Sequence, residues 1–143
     1  MTTAANMDAM RRLFEGFSSP DVDFLRRTVD ELMVPEFITH GDALFPLVHG
    51  REALKQAIPA FKAAFPDATA TIQQIFAEGN KVMVRVETSG THENEWMGAP
   101  GSHKKMTWTA TSITRFNDDG KMAERWVIED EVGLLTQLGV LSL

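Results

Sequence analysis

The chain has 143 residues, enough for one domain with a sizeable core and too few for two. Its net charge of −6 repels phosphate and anionic lipid, which argues against nucleic acid and membrane surfaces as partners. There is no cysteine and no tyrosine, so disulfides, thiol nucleophiles, Cys-ligated metals and phenol donors to an oxyanion are excluded together.

From the N-terminus, no apolar run precedes Arg11-Arg12, and apolar stretches such as Ala43 to Val48 fall far short of the roughly 20 residues a membrane span needs. The expectation is a soluble cytoplasmic protein. Met7, Met10, Leu13, Phe14 and Phe17 recur at helical spacing, predicting a first helix from Asn6 to Phe17 with Asn6 as its cap. Ser18-Ser19-Pro20-Asp21 breaks it and starts a second helix carrying Phe24, Leu25, Val29 and Leu32 on one face. Pro35 and Phe37-Ile38-Thr39 favour a short strand over Met33 to Thr39. A third helix is expected over residues 50–65, with Pro59 inside it.

After Pro66-Asp67 the apolar period changes from 3.6 to 2. Strands are predicted over Thr69 to Glu78, Lys81 to Thr91, Lys104 to Asn117 and Lys121 to Glu129, joined as an antiparallel meander, with a last helix over Asp130 to Leu138. Helices first and strands afterwards indicate an α+β fold, a curved sheet covered on one face by helices. No linker or repeat interrupts residues 1–143, which read as one domain. The strands carry apolar residues on both faces, so the outer face is expected to be buried in a homodimer or homotetramer.

Counting by two along the last strand puts Met122, Trp126, Ile128 and Asp130 on one apolar face. A carboxylate in such a setting has a raised pKa and serves as a general base or acid near neutral pH. Asp130 also directly precedes a helix and is a natural N-cap, and the two roles are compatible. His92 continues the face of Val82, Val84 and Val86, while His40 ends the first strand. The four histidines lack metal-site spacing, and no G-x-S-x-G, G-x-G-x-x-G or P-loop pattern occurs, so neither a metal nor a nucleotide cofactor is indicated. Trp108 shares a face with Met106, Ala110 and Ser112, and reads either as core or as a ligand platform. The long connection from Glu93 to His103 has the character of a lid or an interface.

Several segments together resemble the SnoaL-like polyketide cyclase family within the NTF2-like superfamily. They are Phe65-Pro66-Asp67, Gly90-Thr91-His92, Met97-Gly98-Ala99-Pro100, Arg115-Phe116-Asn117 and, most specifically, Trp126-x-x-x-Asp130-x-x-Gly133-Leu134-Leu135-x-Gln137-Leu138-Gly139. The resemblance implies an NTF2-like cone enclosing an apolar cavity and a cofactor-free, metal-free intramolecular aldol cyclisation, with Asp130 as general acid/base. It also implies that His92 and His40 occupy polar pocket positions, and Trp108 and Trp126 suit the walls for a small hydrophobic or aromatic substrate. The loop Gly98-Ala99-Pro100-Gly101-Ser102-His103 departs from the G-x-P-P-T-G of many relatives, leaving the substrate open. Steroid isomerases and limonene-type epoxide hydrolases of the superfamily rely on tyrosine and are disfavoured. The alternative to an enzyme is a non-catalytic binding or scaffold protein, since fold alone does not decide function.

Overall fold

Thr2, not Asn6, starts the first helix. Its extended backbone lets its hydroxyl accept the Ala5 amide at 3.1 Å, and α1 (Thr3–Phe17) then carries Asn6 inside its first turns as a buried residue beside the face formed by Met10, Leu13 and Phe14. Asp21 caps α2 (Val22–Leu32) by accepting from the Asp23 and Phe24 amides at 3.0 and 3.2 Å. The other elements are β1 (Met33–His40), β2 (Val48–His49), α3 (Arg51–Ala64), β3 (Thr69–Glu78), β4 (Lys81–Thr91), β5 (Lys105–Phe116), β6 (Met122–Glu129) and α4 (Glu131–Leu138). The structure is a computed structural model that describes residues 2–41 and 48–142. The Ala43 to Leu47 part of the apolar stretch noted above lies outside the described residues.

The six strands form one curled, open sheet in the order β2-β1-β6-β5-β4-β3, giving the α+β fold. β3 to β6 make the expected antiparallel meander, but β1 joins the edge of β6 in parallel and β2 extends it antiparallel. The short β2 and the parallel pairing carry no local sequence signal, because β2 is only two residues long and β1 pairs with β6, a strand far away in the chain. α1 packs on β3 and β4, and α3 on β1 and β2, so the helices close on the outer strands. α4 covers one end of β5.

Cross-strand partners share a face, so rows can be followed across the sheet. Val82, Thr114, Arg125 and Thr39 form one row through β4, β5, β6 and β1, on the face turned toward the helices. The neighbouring row, Phe76, Met83, Ile113, Trp126 and His40, runs through all five long strands on the opposite, outer face. One buried apolar cluster joins Val82, Val84, Val86, Ala110, Phe116, Met122 and Val127 of the sheet with Met10, Leu13, Phe14, Leu25 and Val29 of the helices.

β6 corrects the predicted parity. Phe116 pairs with Met122 but Arg115 pairs with Glu124, so a bulge inserts one residue between them. Met122 therefore points inward together with Arg125, Val127 and Glu129, while Trp126 and Ile128 turn outward, Ile128 being 72% exposed.

The expected lid is tied down in the fold. Trp96 and Ala99 exchange both backbone hydrogen bonds at 3.0 Å around Met97 and Gly98, whose φ of 55° and 82° form the primed turn that a tight hairpin needs. Glu93 donates its amide to Ala64 at 2.8 Å and Asn94 its side-chain amide to Ala63 at 2.7 Å, so the connection closes the C-terminus of α3. At the same end, Asp67 accepts the Thr91 amide and hydroxyl, each at 2.7 Å, which holds its carboxyl below the usual carboxylate range. That stabilisation is complete above the unfolded Asp value and is lost as pH falls through the lower folded one. Asp67→Ala should cost about 1 kcal/mol at pH 7, discounted for its exposure, and should flatten the acid limb of stability against pH in urea melts. An unchanged acid limb would remove Asp67 from this role.

Candidate functional site

The inner face becomes polar where β1, β5 and β6 meet. Thr114 and Thr39 flank Arg125 in one row, and the next row along the same strands holds Ser112 opposite Val127. Thr114, Ser112 and Thr39 are buried, at 0%, 3% and 9% exposure, and their hydroxyl oxygens have no hydrogen-bond partner; neither has the enclosed Nε of the half-buried Arg125. Burial pushes the Arg125 guanidinium pKa down, with Glu129 acting in the opposite direction, but a guanidinium stays charged at any physiological pH. One row further, Glu129 stands opposite Ala110 and accepts the Trp108 indole N–H at 3.0 Å. Trp108, Ala110, Val127, Glu129 and Arg125 thus share one face, with a carboxylate at one end of an apolar patch and a cation at the other.

Asp130 does not share that face. It is exposed, its Oδ1 accepts the Gly133 amide at 3.0 Å, and it caps α4. Gly133 is part of the cap, because a Cβ there would lie 2.2 Å from Asp130 Oδ2. Asp130 thus does not look into the interior as expected; the preceding residue, Glu129, takes that position, and the bulge in β6 is the reason. Asp130→Asn should leave stability within roughly 1 kcal/mol of the parent, and Asp130→Ala should lose about 1 kcal/mol, measured by thermal or urea unfolding. A large loss in the Asn variant would show that the carboxylate charge does more than cap.

The four other predicted site residues separate into two groups. Trp108 and His92 lie inside, both in contact with Phe65: His92 stacks on its ring at 5.5 Å, and Trp108 sits 5.4 Å from it. His92 is fully buried, with Nδ1 3.2 Å from the Ser102 hydroxyl and Nε2 lacking a partner. His40 and Trp126 lie on the outer face, which corrects the expectation that all four line one cavity. Their rings stack at 5.4 Å, and His40 Nε2 is 2.7 Å from Glu124, which Arg115 also contacts at 3.3 Å. His40 foremost, then Arg115, holds the Glu124 carboxyl below its ordinary value.

Sequence reading missed Glu129 and Arg125. Alternation alone already separates Arg125, Val127 and Glu129 from Trp126 and Ile128; what it cannot show is that Met122, on the far side of the bulge, faces inward with the first set instead of the second. Two surface grooves, of about 280 and 460 Å³, lie along α1 and α2 and touch none of these residues. Among the described residues no group of His, Asp and Glu is disposed to hold a metal, and no helix is long and apolar enough to cross a membrane.

A family model described as SnoaL-like polyketide cyclase matches residues 5–138. Among solved structures, IdmH from Streptomyces antibioticus, a candidate polyketide cyclase, is 34% identical, with 94% of this chain and 99% of that one covered and a TM-score of 0.76. TsrD from Streptomyces laurentii is 25% identical over 99% of both chains, with a TM-score of 0.84. AclR from Streptomyces galilaeus, a candidate hydroxylase, is 22% identical over 99% of this chain and 89% of that one and shares the fold, with a TM-score of 0.84. A comparison with curated protein sequences gives no match.

Proposed function

The chain belongs to the SnoaL-like polyketide cyclase family, and from that premise we propose that it closes a ring in a small hydrophobic carbonyl compound by cofactor-free aldol chemistry on the inner face of the sheet. The observation that supports this reading is the inward carboxylate of Glu129, held by the Trp108 indole at 3.0 Å beside the apolar patch of Ala110 and Val127. In this scheme Glu129 removes a proton from a carbon next to a carbonyl, and the resulting enolate attacks a second carbonyl of the same molecule. The new C–C bond leaves an alkoxide, to which the carboxylic acid returns the proton, so no external reagent is consumed. The remaining task of this face is to hold the two ends of the substrate in attack geometry.

Asp130 is the competing acid/base, favoured by its place in the Trp126-x-x-x-Asp130 motif. A non-catalytic binding module is the remaining alternative. Hydrogen–deuterium exchange at C2 of 1-tetralone, followed by NMR, tests the proton-transfer half of the scheme. The expected result is exchange faster than in buffer that survives Asp130→Asn. Exchange no faster than in buffer would favour the binding module, and exchange lost in Asp130→Asn would move the role to that residue.

The outer face supports a homodimer as part of this reading. Phe76, Met83, Ile113 and Trp126 form a continuous exposed apolar row across four strands, with Ile128 beside it. Such a row is self-complementary about a two-fold axis. Ile113→Glu should convert a dimer to monomer in sedimentation equilibrium at micromolar concentration, and a monomeric parent would overturn the proposal.

A further inference from the structure

We infer that the junction of β1, β5 and β6 on the inner face is an anion-reading subsite, which selects hydrophobic ligands carrying a carboxylate or enolate oxygen. The inference rests on the inner-face reading above and names the ligand chemistry of that site. Buried polar groups are nearly always paired, because desolvating a hydroxyl without a partner is costly. Here three buried hydroxyls, on Thr39, Ser112 and Thr114, lack partners within one patch, and the enclosed Nε of Arg125 is a fourth such group. Their strand register makes this a cluster: Thr39 and Thr114 are the two cross-strand neighbours of Arg125, and Ser112 lies two residues along β5 on the same face.

A guanidinium N–H and hydroxyl donors converging from three strands match an anionic oxygen, which accepts several hydrogen bonds and offsets the buried positive charge. A neutral carbonyl does only the former. Glu129 lies four residues beyond Arg125 on the same strand and face, so the subsite and the proposed base share one side of β6. The subsite would therefore both orient the substrate and hold negative charge that develops on its oxygen during enolate formation.

The hydroxyls give a test that separates binding from folding. Removing an unpartnered buried hydroxyl relieves a desolvation cost, so Thr114→Val and Ser112→Ala should leave the melting temperature unchanged or raise it. Equilibrium dialysis with 2-naphthoate and its neutral counterpart 2-naphthamide, which share a ring system and size, then measures the anion preference. The parent should bind the naphthoate roughly 10–100-fold more tightly than the amide. Arg125→Gln should abolish that preference, and Thr114→Val should reduce it severalfold, while amide binding is retained in both. Equal affinities in the parent, or a preference unaltered by both substitutions, would overturn the subsite and leave the inner-face reading standing. Absence of binding by either probe would overturn both.

Discussion

Glu129→Gln should lower enzyme-catalysed exchange at C2 of 1-tetralone by something like 10²–10⁴-fold, the span that general acid–base groups contribute, while the fold stays intact. Glutamine keeps an oxygen in place for the Trp108 indole, which Glu129 accepts at 3.0 Å, so packing at this end of β6 is preserved. What is lost is the ability to take a proton at neutral pH. Asp130→Asn, one residue away, should leave the rate close to that of the parent, because its carboxylate is exposed and committed to the Gly133 amide. The contrast between two isosteric changes at adjacent positions removes general effects of charge or stability from the comparison. The reverse pattern would return the chemistry to Asp130.

The largest stability loss is expected at Phe65, which touches Trp108, the residue that donates to Glu129. Its ring is fully buried and lies 5.3 Å from Phe61, 5.4 Å from Trp108 and 5.5 Å from His92, so it joins α3, β4 and β5. Gly90 leaves room for it, since a Cβ there would come within 3.2 Å of the Phe65 Cβ. Phe65→Ala should cost about 3–5 kcal/mol in urea unfolding, through lost burial and the cavity left behind. A loss below about 1 kcal/mol would mean that the surrounding rings collapse into the space.

Much of the fold was legible because its signals are local. The bounds of β3 and β4 follow from alternation between turn residues, and the inward row Val82, Val84, Val86 and His92 follows from β4 running without a bulge. The same count placed Trp108 and Ser112 correctly on β5. It failed on β6, where a single inserted residue between Met122 and Glu124 reverses the parity and exchanges Glu129 for Asp130 as the inward carboxylate. No composition cue marks that bulge, because it compensates geometry imposed by the neighbouring strand. His40 was misplaced for a related reason. Its face depends on the parallel register of β1 against Trp126 of β6, a long-range pairing invisible in either segment alone. The apolar residues of the outer face were visible in sequence, but Trp126 was assigned to a cavity wall when its ladder partners Ile113 and His40 place it outside.

Binding of ligand to the inner face of β5 and β6 is read out by intermolecular NOEs between 2-naphthoate and methyl-labelled protein. NOEs are expected from the naphthalene protons to the methyls of Ala110 and Val127, which flank Glu129 and Arg125 on that face. NOEs confined to Ile113 and Ile128, the exposed methyls of the outer face, would contradict it.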